Sequence, residues 1–411
     1  MMMIRNLIIA GLIWAAGLTG LGYAHSPLSD SMRAAASSLA HTAGAVSLSD
    51  LRADYGGAKA QERARILIVP GHEPDFGGAQ FGSAYERDLV VEIGQDLQQY
   101  LQADGNYQPL MTRDAKGWNP VFSNYFADNS ADIASWEETS RLNAPAIDSL
   151  GMSSQPSVPP VEHNSAPPDV ALRLYGVTKW ANENGIDLML HLHLNDYPRR
   201  HASKPGKYSG LVIYTPARQY ANSTTTKAVA DAVFKRLSLY NPISSLPVES
   251  SGVIDDPELI AVGANNTSDA ASMLIEYDYL YEPQFTNLDV RSLALKDLAY
   301  QTYLGLQDFF TSASAVTATS SYNPASLYAW KTPVKGKGSD PRDIYALQTA
   351  LILDGDYPAV GSTRNECPHS GSFGPCTEAA LKAFQKKGGI AGEGPAGAKT
   401  WALLSRIYSG N

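Results

Sequence analysis

The sequence predicts an α/β protein: a single twisted, mostly parallel sheet flanked by helices, followed by a small C-terminal three-helix module. Three observations carry that expectation. From about Arg65, short apolar runs alternate with longer segments of helical spacing, the rhythm of a sheet covered by helices. A Ser/Thr/Ala-rich stretch, "TSASAVTATSS", ends that rhythm at residue 311 and has the composition of a linker. Beyond it, residues 371–381 and 394–404 repeat Gly-x-x-Gly-x-x-Thr-x-x-x-Leu at a period of 23 residues.

The elements follow in order. Residues 66–69 read as a strand. Leu89, Val90, Ile93, Leu97 and Leu101 give residues 86–101 a helical stripe. Strands are then expected at 107–112, 186–194, 211–214 and 273–277, and helices at 173–184, 224–239 and 292–310. Residues 114–168 break the pattern with Trp118, Trp136 and the Pro-rich "SSQPSVPPVEHNSAPP". They are too long for an ordinary connection and read as an insertion over part of a cleft. In the C-terminal repeat the glycines permit tight turns, and each Thr is placed to cap the helix that follows.

Composition narrows the class. A chain of 411 residues is long enough for two domains, and 44% hydrophobic with 18% charged residues describes a globular protein. A net charge of −9 argues against nucleic acid as a partner, because phosphate binding needs a basic surface. Residues 1–24 carry Arg5, an apolar run from Leu7 that fades near Leu21, and then Gly22-Tyr23-Ala24. That is the pattern of a secretory signal or an uncleaved anchor, and either one exports the chain to the cell envelope, periplasm or exterior. Residues 25–64 read as a poorly ordered lead-in, 65–310 as the main α/β domain, 311–337 as a linker and 338–408 as the module. In an exported protein Cys367 and Cys376 are expected to form a disulfide.

Chemistry-bearing residues gather where open α/β sheets place ligands, at the carboxyl ends of strands. His72 follows the first strand after Pro70-Gly71, and Glu86 heads the next helix. In "LMLHLHLND", His191, His193 and Asn195 alternate with Leu and so share one face. Glu276 ends the run Met273-Leu274-Ile275. Taken singly, His72 reads as a turn residue, Glu86 as a helix-dipole partner and Glu276 as half of an ion pair. Together, two histidines and a carboxylate make a catalytic zinc set with a position left for water, and a further carboxylate serves as the base.

The order of these elements, "PGH", an Asp and Gly-rich loop, "ERDLVVEIGQDLQQYL", "TRD", His-x-Asn and an apolar strand ending in Glu, resembles the zinc-dependent N-acetylmuramoyl-L-alanine amidases of type 3 over about residues 65–310. The resemblance implies Zn2+ held by His72, Glu86 and His193, Glu276 as catalytic base, and cleavage of the amide between N-acetylmuramic acid and L-alanine. Two departures stand out. Glu73-Pro74 follows the first His where the family has Gly-Gly, with Gly77-Gly78 arriving later; His191 stands where the family often has Ser. The choice between His191 and His193 rests on the H-x-N spacing to Asn195. Residues 338–408 resemble a three-helix peptidoglycan-binding module, which implies peptidoglycan as partner. A zinc peptidase of the stem peptides and a silent wall-binding scaffold are the alternative functions. Glu137, Glu138 or His163 of the insertion are candidates to block the metal until an activator protein acts on 114–168, and Arg199-Arg200-His201 is a candidate carboxylate contact.

Overall fold

The computed structural model describes residues 45–55, 63–151, 166–197, 200–218, 220–256, 259–262, 269–311, 322–390 and 396–410. The segment 1–24, His163 and most of the 311–320 run lie outside them. Along the chain come α1 (Leu48–Asp54), β1 (Ala64–Pro70), the hairpin β2 (Gln80–Phe81) and β3 (Ala84–Tyr85), α2 (Glu86–Asp104) and β4 (Tyr107–Met111). Next are α3 (Pro120–Asp128), α4 (Ser130–Gly151), α5 (Pro168–Glu183), β5 (Leu188–Asn195), β6 (Val212–Pro216), α6 (Ser223–Leu237) and β7 (Val253–Asp256). The α/β part closes with β8 (Ala271–Tyr279), α7 (Pro283–Thr286) and α8 (Leu288–Thr311). The module holds α9 (Pro341–Leu353), α10 (Pro375–Lys387) and α11 (Ala398–Ser409).

The six-stranded sheet runs β4-β1-β5-β8-β6-β7. β4, β1, β5 and β8 are mutually parallel, β6 turns antiparallel to β8, and β7 runs parallel to β6. Central parallel strands are covered on both faces, which is why β1, β5 and β8 read as continuous apolar runs. On one face Ile66, Ile68, Leu190, Leu192, Met273 and Ile275 pack against Leu89, Ile93 and Leu97 of α2, Val229 and Val233 of α6, and Leu298 and Leu306 of α8. On the other, Leu67, Val69 and Met189 meet Phe122 of α3 and Val177, Trp180 and Ala181 of α5. β5 alternates, so His191 and His193 fall on this second face with Met189.

The structure adds the hairpin β2–β3, the edge strand β7 and the short α7 to the expected elements, and differs from the sequence expectation in three further places. Leu48–Asp54, expected within a loose lead-in, form α1. It is capped by Ser47 and held by fully buried Leu51. The insertion is helical over α3 and α4, which lean on α5 through Ile133 and Tyr175; proline at its far end masked that from a periodicity reading. In the repeat, the caps are Gly374 and Gly397, not the threonines. Thr377 and Thr400 sit buried inside the first turn, where they accept hydrogen bonds from Gln348 and Gln385.

The module is packed onto the α/β part. Tyr240 and Leu304 join one apolar cluster with Tyr322, Leu347, Leu381, Leu404 and Tyr408. Cys367 and Cys376 are joined in a disulfide. No helix among the described residues is long and apolar enough to cross a membrane.

Candidate metal centre

Four chain segments meet at the carboxyl end of β1 and β5. Gly71 N donates to Leu192 O at 2.9 Å, which brings the turn after β1 alongside His193. Gly71 has no substitute there, because a Cβ would lie 2.3 Å from the His193 ring. His72 follows with φ of 67°, a left-handed conformation uncommon outside glycine. Its ring rests on Gly78, where a Cβ would come within 2.9 Å of the imidazole. The displaced Gly77-Gly78 pair therefore makes room for His72 from a later position in the loop.

His72, Glu86 and His193 bring one donor atom each to within 4.8 Å of one another. His193 Nδ1 is 3.0 Å from Glu86 Oε1, and His72 Nε2 is 2.9 Å from Glu86 Oε2 without an aligned hydrogen bond. Ala79 N and Leu194 N donate to the two Glu86 oxygens at 2.8 and 3.1 Å, so the backbone fixes the carboxylate's orientation. Burial alone would raise Glu86, but the two imidazoles outweigh it and hold the carboxyl well below its ordinary range. Burial lowers the proton affinity of His193. Two imidazoles and a carboxylate, with a buried ring nitrogen making no hydrogen bond, form a donor set that fits zinc with an open position.

Glu276 lies beside this group. It is the parallel register partner of His193 on β8 and is 1% exposed. Burial first, then the charges of Glu86, Glu249 and Asp196, push its carboxyl well above the ordinary value. His191 lies deeper on the same strand and is outside the three-residue group. Burial, reinforced by His193, takes it down to about 3, so it stays neutral.

Several contributors were not singled out from the sequence as site residues. Arg113, 1% exposed, donates to Pro70 O at 3.2 Å, to Arg87 O at 2.9 Å and to Gly71 O, stapling the end of β1 to the head of α2. Its signal was the "TRD" following β4. Glu73 accepts from Trp118 Nε1 at 3.0 Å and Arg173 Nε at 2.8 Å, tying the His72 turn to the insertion and to α5. Glu249 is 1% exposed and gathers Asn195, Tyr214, Ser244 and Tyr279 around its two oxygens. A register shift between His193 and Asn195 accompanies that contact. Of the proposed blocking residues, Glu137 pairs with Arg141 at 2.9 Å, and neither it nor Glu138 enters the group. Arg199 lies outside the described residues, and Arg200 is turned toward Asp196.

With this geometry in place, similar proteins can be set beside the chain. Residues 341–404 match the family described as "Putative peptidoglycan binding domain". No curated protein matches the chain. Solved structures similar to it include the CwlD amidase from Clostridioides difficile in complex with the GerS lipoprotein, at 16% identity over 61% of this chain and 99% of that chain, TM-score 0.38. The N-acetylmuramyl-L-alanine amidase Ami1 from Mycobacterium smegmatis is 13% identical over 61% of this chain and 98% of that one, TM-score 0.38. AmiC2 of Nostoc punctiforme, an N-acetylmuramoyl-L-alanine amidase, is 14% identical over 61% and 98%, TM-score 0.37.

Proposed function

We propose that the protein is a zinc-dependent N-acetylmuramoyl-L-alanine amidase of the cell envelope, held on its polymer by the C-terminal module. The observation that carries this reading is the convergence of His72, Glu86 and His193 with Glu276 in the neighbouring register position. The match of residues 341–404 to a peptidoglycan-binding family supplies the polymer.

His72, Glu86 and His193 would hold the ion. Zinc bound there supplies Lewis acidity, polarising the scissile carbonyl and making water a nucleophile at neutral pH. The chain's own part is proton handling and alignment. Glu276 takes a proton from the attacking water and returns it to the leaving amine. A carboxyl whose proton affinity is raised by burial and by neighbouring carboxylates suits a group that must both take and give near neutrality. Arg113 and Gly71 keep the His72 turn against His193, and Glu249 secures Asn195 beyond it. Docking on the polymer raises the local concentration of scissile bonds.

The test is mass analysis of soluble products from purified peptidoglycan, with zinc-loaded protein and after chelation. Zinc-dependent release of stem peptides beginning with free L-alanine is the expected outcome; shorter peptides or intact polymer would overturn the reading.

A further inference from the structure

The proposed mechanism leaves one basic segment unused. Residues 197–208, "YPRRHASKPGKY", hold Arg199, Arg200, Lys204 and Lys207 and no Asp or Glu, in a chain of net charge −9. We propose that this loop is a binding site for a stem-peptide carboxylate, with Lys207 as its cation and Tyr197 and Tyr208 as its walls. The proposal deepens the amidase reading and rests on it.

The loop is built from its base. The Arg200 side chain is 4% exposed and donates to both Asp196 oxygens at 2.5 and 2.9 Å and to Gln80 O at 2.7 Å. It also donates to the carbonyls of His201 and Lys204 at 3.0 and 2.9 Å. Its guanidinium lies 5.5 Å from the Phe81 ring centre and 5.0 Å from that of Tyr281. Gly82 N donates to Ala202 O at 2.9 Å, and Tyr281 OH donates to Tyr208 O at 2.9 Å. Gly206 passes so close to Tyr281 that a Cβ would sit 2.4 Å from the hydroxyl. Arg200 thus has every face occupied, and its role is to hold the loop's shape.

What the loop presents is Lys207. Its ammonium lies 5.5 Å from the Tyr197 ring centre and 4.8 Å from that of Tyr208, and the two rings meet edge to face at 5.0 Å. Lys207 is exposed and Tyr197 is 36% exposed. A cation held between two rings on a pre-shaped loop loses little freedom when an anion arrives.

Position gives the ligand. Tyr197 follows His193 by four residues, and the loop's base is bonded to the hairpin that leads directly into Glu86. The base of the loop is therefore tied to the two elements that carry His193 and Glu86. Of the two parts of the polymer, N-acetylated sugars are neutral and stem peptides carry carboxylates, so the cationic rim discriminates in favour of the peptide.

The experiment compares two soluble muropeptides that differ only at the stem's acidic residue, one with a free carboxylate and one with the carboxamide. Zinc-loaded full-length protein should favour the acid by about three- to fivefold in kcat/KM, mostly through KM, the size of an exposed charge pair. Added salt should shrink that ratio. Lys207→Met should bring it toward one, Tyr197→Ala should reduce it, and the α6 surface variant Lys227→Met should leave it at the wild-type value. Equal turnover of the two substrates by the wild type, or an unchanged ratio in Lys207→Met, overturns the proposal. If neither muropeptide is cut, the amidase reading fails. Titration of the two free stem peptides then decides the loop by itself: tighter binding of the acid that vanishes in Lys207→Met supports it, and equal binding overturns it.

Discussion

Glu86 and Asp297 are both carboxylates shut away from water, 4% and 3% exposed, yet their surroundings do opposite things. Glu86 faces two imidazoles, and hydrogen bonding and electrostatic attraction from them hold its proton affinity down against burial. Asp297, on α8, faces only donors: Gln301 Nε2 at 3.1 Å and the hydroxyls of Tyr322 at 2.9 Å and Tyr345 at 3.1 Å. Burial raises its proton affinity, and these donors offset only part of that. A carboxylate saturated by hydroxyls is finished: it joins α8, the segment after residue 321 and α9 into one body. A carboxylate shared between imidazoles that carry lone pairs has room for a cation. Burial alone therefore does not mark a site; the character of the partners does.

The largest expected effect tests the Glu86 side. Glu276→Gln should lower kcat by about 10²- to 10⁴-fold, the usual contribution of a general base, while zinc content stays at one per chain. His193→Ala should lose the zinc itself. Full turnover in the Glu276 variant would remove the proposed base.

On the Asp297 side, Asp297→Ala leaves two buried tyrosine hydroxyls without their acceptor, at about 3 kcal/mol in all. A lower Tm and faster proteolysis between 311 and 322, with zinc affinity unchanged, are expected. Unaltered melting would show that the junction does not depend on this carboxylate.

Reducing the Cys367–Cys376 disulfide, which closes a loop of sequence separation 9, should cost about 2–3 kcal/mol by loop entropy. The loss should fall on the module, and hydrogen exchange in α10 checks it.

The smallest effect concerns pH. Burial holds the His369 imidazole down to about 3, so the folded module keeps it neutral while the unfolded chain protonates it below about 6.5. Its contribution is complete above that value and is lost as pH falls toward 3, reaching about 2 kcal/mol at pH 5. The wild-type Tm should therefore drop more steeply from pH 7 to 5 than that of His369→Asn. Equal slopes would contradict the sign.

Much of this was legible beforehand where local physics suffices. Period-3.6 and apolar-run patterns placed α2, β5, β8 and α8 within a few residues, and strand ends placed His72, His193 and Glu276 at one edge of the sheet. The helices of the insertion were not legible, because the described side chains of α3 and α4 are mostly exposed and the proline-rich stretch beyond them dominated the reading. Nor were the roles of Glu73, Arg113 and Glu249: a lone charged residue in a loop looks the same in sequence whether water or three backbone carbonyls surround it.

By itself the sequence determined the alternation of strand and helix, the repeat that builds the module, and the residue types that can hold a metal, since each follows from short-range periodicity and side-chain chemistry. Only the tertiary structure decided that His193 and not His191 meets His72 and Glu86, that β6 reverses direction beside β8, and that Arg200 shapes a loop that sets Lys207 against Tyr197 and Tyr208. Those outcomes depend on which distant segments close against each other, and that choice is made by burial summed over the whole core, which no local window contains.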